Sequence, residues 1–477
     1  MKRLSCVLAA GAAFLVSGCT VGPDYRPQPP PAVNRYQAPG DTAVFPLSGG
    51  QRIALGKTVV ADWWILFRDP ALNKVISMAL AGNQDIAAAK ARVATAQQQV
   101  VIAGAAALPQ LSLGATAGRQ KYGVALFGPA DFSIPPFTYY SLGPSAVFPL
   151  DLFGGTRRAV EARTAYQQLE TDRLKGVYLS LAANVVAEAL KIARARDQIR
   201  TVKSIIADDQ RNINLVNTAI DAGAGTRTQL LTAQSQLASD RTLLPDLIQE
   251  ESVARHALAV LVGKAPAEWR TPDFQLDDMT LPQEVPVRLP SDLVHARPDI
   301  LSAEAQLHMA SAEIGVATAN LYPHIVLTTT LAQEALTPAA IFDTVADAWS
   351  VAANLTEPLF EGGRLKAEQR AAVDAYQEAL ANYRQVVLKS FEQVADELQA
   401  LRNHAQKEYA QRVAARTAGD SLQVARQSFR LGNSGILGVV DAERRYARAR
   451  LGLSQARAQR YLDVITLFWA LGGNLPQ

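Results

Sequence analysis

The chain has 477 residues, of which 49% are hydrophobic and 19% charged, and its formal net charge at neutral pH is +3. This composition excludes a disordered chain, and the near-neutral charge gives no indication of nucleic-acid binding. Both cysteines, Cys6 and Cys19, lie close to the N-terminus, so the body of the protein can hold no disulfide, zinc–thiolate site or thiol catalyst.

The N-terminus is predicted to be an export signal. Lys2 and Arg3 precede a short apolar run that ends in small residues and Cys19, so we assign residues 1–18 to a signal peptide. Residues 15–19 also resemble a bacterial lipobox, in which cleavage leaves the cysteine as a lipidated N-terminus. We therefore expect lipidation of Cys19; the alternative is an ordinary signal-peptide cysteine. Thr20 follows in place of an aspartate, which favours the outer membrane.

Residues 19–61 are rich in proline and glycine and are predicted to form a lipidated, extended tether. The first structural repeat is predicted to begin at Asp62, where Trp63 and Trp64 are expected to pack in a core. Asp69 followed by Pro70 indicates a helix start, with aspartate at the N-cap and proline in the first turn. Beyond the signal peptide no uninterrupted run of 18 apolar residues occurs, so we expect no membrane-spanning helix.

Two stretches alternate between apolar and polar residues, and each begins after a proline, Pro109 or Pro323. A second alternating stretch follows each of them after a loop. The pattern predicts two strand hairpins, at about residues 109–149 and 322–358.

Each strand hairpin is followed by a long proline-free stretch. The double glycines Gly154–Gly155 and Gly362–Gly363 are 208 residues apart, and Gly223 and Gly432 are 209 apart. Such a constant offset indicates an internal duplication. It predicts two long helical hairpins, at residues 154–262 and 362–471, with a kink near Pro245 in the first.

The chain is thereby divided into a first repeat, 62–263, an inter-repeat linker, 264–290, and a second repeat, 291–477. The linker assignment depends on its many prolines.

No pattern of residues indicates chemistry. The five histidines are scattered, no HExxH motif occurs, and Gly263–Lys264 lacks the leading glycine of a phosphate-binding loop. We therefore predict that the protein is not an enzyme and uses no cofactor or metal.

The number of strands does suggest how the protein meets a membrane. A bilayer accepts strands only in a closed barrel, and about eight are needed to enclose an open interior. Four strands from one chain cannot close such a barrel. If they enter a membrane, several chains must share it.

The sequence resembles the TolC-like outer-membrane factor family, in particular its lipoprotein branch, the NodT-like proteins of RND-type efflux systems. The resemblance covers the whole mature chain. It is carried by Cys19–Pro27, Asp62–Leu72, Arg297–Ile300 with Ala303–Glu304, Ile314–Gly315 through Tyr322–Pro323, and the two double-glycine junctions.

The resemblance implies a mainly α fold with membrane β, in which three protomers with four strands each form a 12-stranded barrel continued by a long α-helical tunnel. It implies a homotrimer in outer-membrane lipid that forms a passive exit duct for small molecules. The implied partners are a periplasmic adaptor and an inner-membrane RND-type transporter. The double glycines would be the strand-to-helix bends.

The adaptor contacts implied by the resemblance are the helix tips, at Gly223, Gly225, Thr226 and Arg227 and at Gly432, Asn433 and Gly435. Asp441 matches one of two acidic positions near the aperture in such channels, whereas Gly438 occupies the other, which puts the acidic ring in doubt. Asp441 could equally be a solvated carboxylate on a helix surface. Arg227 could belong to an aperture network or cap a helix.

Two other functions fit parts of the sequence. The channel could serve a type I protein exporter, or the protein could be a lipid-anchored periplasmic coiled-coil scaffold without a pore. The scaffold would not explain why strand hairpins precede both helical hairpins.

Overall fold

A computed structural model describes residues 20–39, 51–121 and 135–473 of the chain. The predicted signal peptide, Cys19, part of the tether and the tip of the first strand hairpin lie outside the described residues.

Long helices make up most of the described structure. In chain order they are α1 Pro70–Gly82, α2 Gln84–Ala105, α3 Gly155–Asp221, α4 Arg227–Arg241, α5 Leu243–Leu261, α6 Pro290–Leu293, α7 Pro298–Ala319, α8 Arg364–Arg430 and α9 Ile436–Ala470. A short 3₁₀ helix, Trp63–Phe67, precedes α1. Both α3 and α8 have 67 residues, or about 100 Å at 1.5 Å per residue. The predicted pair of long helical hairpins is therefore present.

Six strands form two sheets. They are β1 Arg52–Leu55, β2 Gln110–Gln120, β3 Phe137–Leu150, β4 Glu284–Val287, β5 His324–Ala335 and β6 Asp347–Thr356. β1 and β4 pair in parallel, whereas β2, β3, β5 and β6 form an antiparallel sheet in that order. Within the described residues, β2 and β6 are the edges of the larger sheet.

The chain divides into two compact units, and each draws on both sequence repeats. The first unit contains residues 1–28, 92–170 and 303–383, and the second contains 29–91, 171–302 and 384–477. The four-stranded sheet lies in the first unit.

The four-stranded sheet has one apolar and one polar face, as the alternation in its sequence predicts. The apolar face carries large exposed side chains, among them Leu111, Leu113, Trp349, Val351 and Leu355. A soluble sheet would cover such a face, and its exposure is what a lipid-facing surface requires.

A row of hydroxyl side chains crosses the polar face. Ser112 pairs in register with Ser145, Ser145 with Thr330, and Thr330 with Ser350. The hydroxyl oxygens of Ser112 and Ser145 are 2.8 Å apart, and those of Thr330 and Ser350 are 2.6 Å apart. The row reaches across all four strands.

The second unit has a conventional apolar core. Trp63, Phe67 and Phe468 are almost completely buried there, in contact with the middle of α3 and with β1 and β4. Trp63 and Trp64 thus pack as predicted. The predicted start of α1 is also confirmed, because the Asp69 carboxylate accepts hydrogen bonds from the backbone N–H groups of Ala71 and Leu72.

The small sheet shows that the predicted tether and linker are more structured than their proline content indicates. β1 lies in the tether and β4 in the linker, and Arg52 pairs in register with Glu284. Both strands escape prediction from the sequence because each has four residues and β4 contains Pro286.

The return of the first helical hairpin is interrupted, close to where Pro245 predicts a kink. α4 ends at Arg241 and α5 begins at Leu243, so the break lies just before the proline. This position is expected because proline has no N–H and is tolerated in the first turn of a new helix.

One helix of the described residues, α3, contains an 18-residue window apolar enough to cross a membrane by length and composition, with a mean hydropathy of 1.3. Half of that window is buried inside the protein. The middle of α3 contributes Leu181, Val185 and Leu190 to the core of the second unit. Its apolar character is accounted for by that core.

Candidate functional site: bends, helix tips and a polar layer

The first predicted bend, Gly154–Gly155, is tightly packed. Gly154 has a φ of +79°, and a Cβ atom there would lie 2.7 Å from the methyl group of Thr20. A Cβ atom at Gly155 would lie 3.0 Å from that of Ala319. Asp151 caps the helix that follows by accepting a hydrogen bond from the Thr156 backbone N–H at 3.0 Å. This bend therefore requires glycine for both its conformation and its neighbours.

The N-terminal segment Thr20–Gln28, which we call the strap, is held by one arginine. The guanidinium of Arg158 donates to the backbone oxygens of Val21 and Gly22 at 3.2 and 3.4 Å. It also donates to the carboxylates of Asp24 and Glu161, both at 2.7 Å. The Arg158 side chain is only 5% exposed. Charge-assisted bonds of this kind fix the strap.

The strap makes a second set of contacts, with α7. The Tyr25 ring stacks on His308 with 4.3 Å between ring centroids, and His308 lies 2.9 Å from Glu161. Although burial opposes it, the hydrogen bonds from Arg158 and His308 hold the pKa of Glu161 below its ordinary value. Arg158, Glu161 and His308 thus form one connected network against the strap.

The second predicted bend, Gly362–Gly363, is open by contrast. Both glycines have positive φ, +60° and +86°, but no described atom beyond the local chain lies within 4 Å of a Cβ atom at either. The preceding Leu359 and Phe360 are 91% and 89% exposed. In the first copy the matching Leu–Phe pair, Leu152–Phe153, stands one residue closer to its double glycine, and Phe153 stacks on Tyr322 at 4.7 Å. The two bends share a sequence pattern but differ in their surroundings.

The first helix tip is a compact turn. Gly223 has a φ of +75°, and its N–H donates to the Ile220 oxygen at 2.9 Å. A Cβ atom at Gly225 would lie 2.8 Å from the Ile220 nitrogen. Thr226 caps α4 in a reciprocal capping box with Gln229. The turn therefore connects the end of α3 directly to the start of α4.

The second helix tip repeats the first. Gly432 has a φ of +74° and donates to the Phe429 oxygen at 3.0 Å, while the Asn433 N–H donates to the Ser428 oxygen at 2.9 Å. Gly435 is the N-cap of α9. Gly223 and Gly432 have open space where a side chain would be, so both tips present backbone to their surroundings.

Of the two charged candidates near the tips, Arg227 is exposed and Asp441 is partly buried. Asp441 forms ion pairs on its own helix with Arg444 at 2.8 Å and Arg445 at 2.7 Å. Arg227 is the exposed first residue of α4. In the isolated chain Asp441 therefore has its charge compensated locally.

A buried polar layer behind the tips was not predicted from the sequence. Glu443 on α9 accepts hydrogen bonds from Asn212 on α3 and from Arg426 on α8, the latter at 2.7 Å. Arg426 also lies 3.1 Å from Asp208. These residues give no local signal, because Asn212 and Asp208 on α3 lie more than two hundred positions from their partners Glu443 and Arg426 in the sequence.

The described residues contain no group of three or more His, Cys, Asp or Glu side chains arranged to hold a metal ion.

Known proteins resemble this chain over nearly its whole length. The model of the family described as outer membrane efflux protein matches residues 75–264 and 289–473. The pyoverdine export outer membrane protein OpmQ of Pseudomonas aeruginosa is 31% identical, covering 99% of this chain and 97% of OpmQ. The probable outer membrane lipoprotein SilC of Salmonella typhimurium is 25% identical over 98% of both chains. The solved outer-membrane channel OprN superposes with a TM-score of 0.86 at 28% identity, covering 96% of this chain and 99% of OprN.

Proposed function

The chain belongs to the outer membrane efflux protein family and is an outer-membrane efflux channel; from this premise we propose that it works as a homotrimer whose three sheets close one barrel. The barrel would continue into a helical tunnel and act as a passive exit duct. A periplasmic adaptor and an inner-membrane RND-type transporter would supply the cargo and the energy.

The observation that carries the trimer is the incomplete sheet. Within the described residues, the edge strands β2 and β6 have no strand beyond them, and their apolar face is exposed. A lipid-facing sheet with free edges is unstable, since the bilayer offers no partner for backbone N–H and C=O groups. Pairing β6 of one copy with β2 of the next removes both edges.

The internal duplication specifies how these two edges should pair. Pro149 and Pro358 occupy matching places, as do Pro323 and Pro109. In the first copy β3 pairs with β5 so that Leu150 lies opposite Ile325. Transferring that register places Leu355 opposite Ala115 of the neighbouring protomer. Both residues lie on the apolar face, as pairing requires.

Cysteine cross-linking tests this register in the trimer. The double variant Ala115→Cys with Leu355→Cys should form disulfides between protomers and yield covalent trimers on a denaturing gel. The mature chain has no cysteine except Cys19, so the background is low.

A matched control displaces one cysteine along the strand. Ala115→Cys with Val351→Cys keeps both side chains on the apolar face but moves them out of register, so it should cross-link weakly. Equal cross-linking of both variants would disprove the register. A purified wild-type protein that remains monomeric in detergent would disprove the trimer itself.

We propose the helix tips as the adaptor contact, because both turns expose backbone around an open glycine. Gly432→Val or Gly223→Val would add a branched side chain where the structure has open space and φ is positive. Either variant should leave the trimer intact and reduce adaptor co-purification and drug resistance. Unchanged co-purification in both variants would remove the tips from the docking surface.

We also propose that a lipidated Cys19 anchors the protein in the outer membrane. Support comes from the strap, since Thr20, the next residue, packs on the bend that ends β3. This position would place an acyl chain beside the sheet rather than at the helix tips. Cys19→Ser should abolish incorporation of labelled palmitate, and persisting incorporation would refute the assignment.

A further inference from the structure

The end of the second unit that carries the tips has a core of its own. Ile213 from α3, Leu237 from α4, Leu422 from α8 and Val439 from α9 belong to one cluster of buried apolar side chains. The two helical hairpins of the chain are therefore packed together near their tips. Any separation of the hairpins must open this cluster and the polar layer beside it.

One carboxylate beside this cluster has no hydrogen-bond donor. Asp209 is 4% exposed, and within the described part of the chain its Oδ2 atom has no hydrogen-bond partner. It lines a small open pocket together with Asp208 and Glu443. The carboxyl of Asp240 on α4 interacts with that of Asp209 through its charge and, when one of the two is protonated, through a hydrogen bond. A buried carboxylate is costly without a donor, and two facing carboxylates can supply one only if a proton lies between them.

The other charged groups around Asp209 do not neutralise it. On α3, Asp208 is paired with Arg211 of the same helix. From α8, Arg426 forms ion pairs with Asp208 and Glu443, so its positive charge is already compensated. Asp240 on α4 accepts a hydrogen bond from the neutral amide of Gln236 at 2.9 Å.

From α9, Glu443 adds a further negative charge. Arg450, also on α9, lies over the Tyr446 ring at 5.7 Å and forms no ion pair with Asp209 within the described part of the chain. Asp209 and Asp240 therefore face each other with no cation of their own.

We propose that Asp209 and Asp240 share one proton, and that this proton-binding site fastens the two helical hairpins near their tips in a pH-dependent way. The consequence for conduction rests on the proposed channel function, whereas the proton site itself does not. When the proton is present, one carboxyl donates to the other and the buried layer is satisfied. When it leaves, like charges on α3, α4 and α9 repel one another.

The direction of the pH effect follows from the environment of Asp209. Burial, then the charge of Asp240 and of Glu443, raises the pKa of Asp209 to about 7 in the packed state. Separated hairpins would hydrate the side chain and return it to its ordinary value of about 4. Between about pH 4 and about pH 7, the packed state therefore binds one proton more than the separated state. Packing is strongest at low pH, weakens as pH rises through this window and is constant above it.

Single-trimer conductance in planar lipid bilayers measures the effect. The ratio of open to closed channels should rise with pH between about 4 and about 7, by at most about tenfold per pH unit, and then level off. Asp209→Asn should abolish the rise, because an amide donates to Asp240 at every pH. Asp240→Asn should lower the pH at which the plateau begins by roughly one unit, because an amide donor stabilises ionised Asp209.

Two controls identify the responsible group. Asp420→Asn removes an exposed carboxylate from α8 and should leave the profile unchanged. Glu397 is the competing group, because burial and then Asp463 and Asp396 raise its pKa to about 7 as well. Glu397→Gln should retain the rise. A rise that persists in Asp209→Asn, or disappears in Glu397→Gln alone, would overturn the proposal.

Infrared difference spectra between wild type and variants test the proton-binding site without a conductance measurement. Wild-type protein at about pH 6 should show protonated-carboxyl absorption that is weaker in Asp209→Asn, and the component lost there should remain in Glu397→Gln. An identical band in wild type and Asp209→Asn would overturn the shared proton. A wild-type protein with this band but no conductance would instead disprove the proposed channel function.

Discussion

The two strand-to-helix bends have nearly the same sequence and opposite surroundings. At the first, Thr20 packs on Gly154 and Phe153 stacks on Tyr322. At the second, Leu359 and Phe360 are almost fully exposed. A duplication copies an apolar surface and, with it, the requirement for residues that cover it. The exposed copy therefore indicates which contacts a neighbouring protomer would supply.

The duplication also indicates which residues of the neighbour are involved. Tyr322 lies just before Pro323, and its counterpart before Pro109 is Leu108, which is 61% exposed. Phe360 of one protomer should therefore contact Leu108 of the next. The first bend is completed within the chain, and in the proposed trimer the second would be completed by the neighbouring protomer.

The largest expected effect is on Phe360. Phe360→Asp should prevent trimer formation, since each copy forfeits about 2 kcal/mol of apolar burial and must desolvate a charge at the interface. The monomer should still fold, because Phe360 has no packing to lose there. Phe153→Asp should instead destabilise the monomer. Native mass spectrometry and thermal unfolding separate the two outcomes, and normal trimers of Phe360→Asp would contradict the comparison.

Removing the strap's arginine should have the next largest effect. Arg158→Ala removes the buried guanidinium that donates to two strap oxygens and to Asp24, which should cost about 2 kcal/mol and release residues 20–28 to added protease. The matching position in the second copy is Lys366, which is exposed, and Lys366→Ala should change stability by less than about 0.5 kcal/mol. Equal protease resistance of the two variants would show that the strap is held by other contacts.

Alanine at the bend glycines should give a smaller, graded difference. Gly362→Ala carries the conformational cost of positive φ, about 1 kcal/mol. Gly154→Ala carries that cost and also displaces Thr20, so its melting temperature should fall further. The melting temperatures should be measured on isolated monomers, because a neighbouring protomer would add contacts at Gly362. Identical melting temperatures would mean that Thr20 can move away from residue 154 without any loss of stability.

The smallest expected effect is at Asp441, whose place in the first copy is taken by Thr232. If Asp441 contributes about 0.5 kcal/mol to closing the aperture, beyond its ion pairs with Arg444 and Arg445 on its own helix, Asp441→Ala should raise passive leak roughly twofold. Uptake of a large antibiotic into cells that lack the transporter measures this leak. No change would assign Asp441 to the helix surface.

The sequence was sufficient for features that depend on local rules. Alternation predicted β2, β3, β5 and β6, and the constant offset between Gly223 and Gly432 predicted both helical hairpins and their tips. β1 and β4 were missed, because a strand of four residues depends on its partner more than on its own pattern. The strap and the polar layer were missed for a related reason, since Arg158 and Glu443 look like ordinary helical charges until distant segments meet them.

The row of hydroxyls across the polar face of the sheet has a consequence for the cargo. Ser112, Ser145, Thr330 and Ser350 carry no charge at any physiological pH. Repeated in three protomers, they would give this level of the pore a wettable wall that neither attracts nor repels ions of either sign. Anionic, cationic and neutral solutes would pass this row equally well, so discrimination among them by charge would have to occur at another level of the duct.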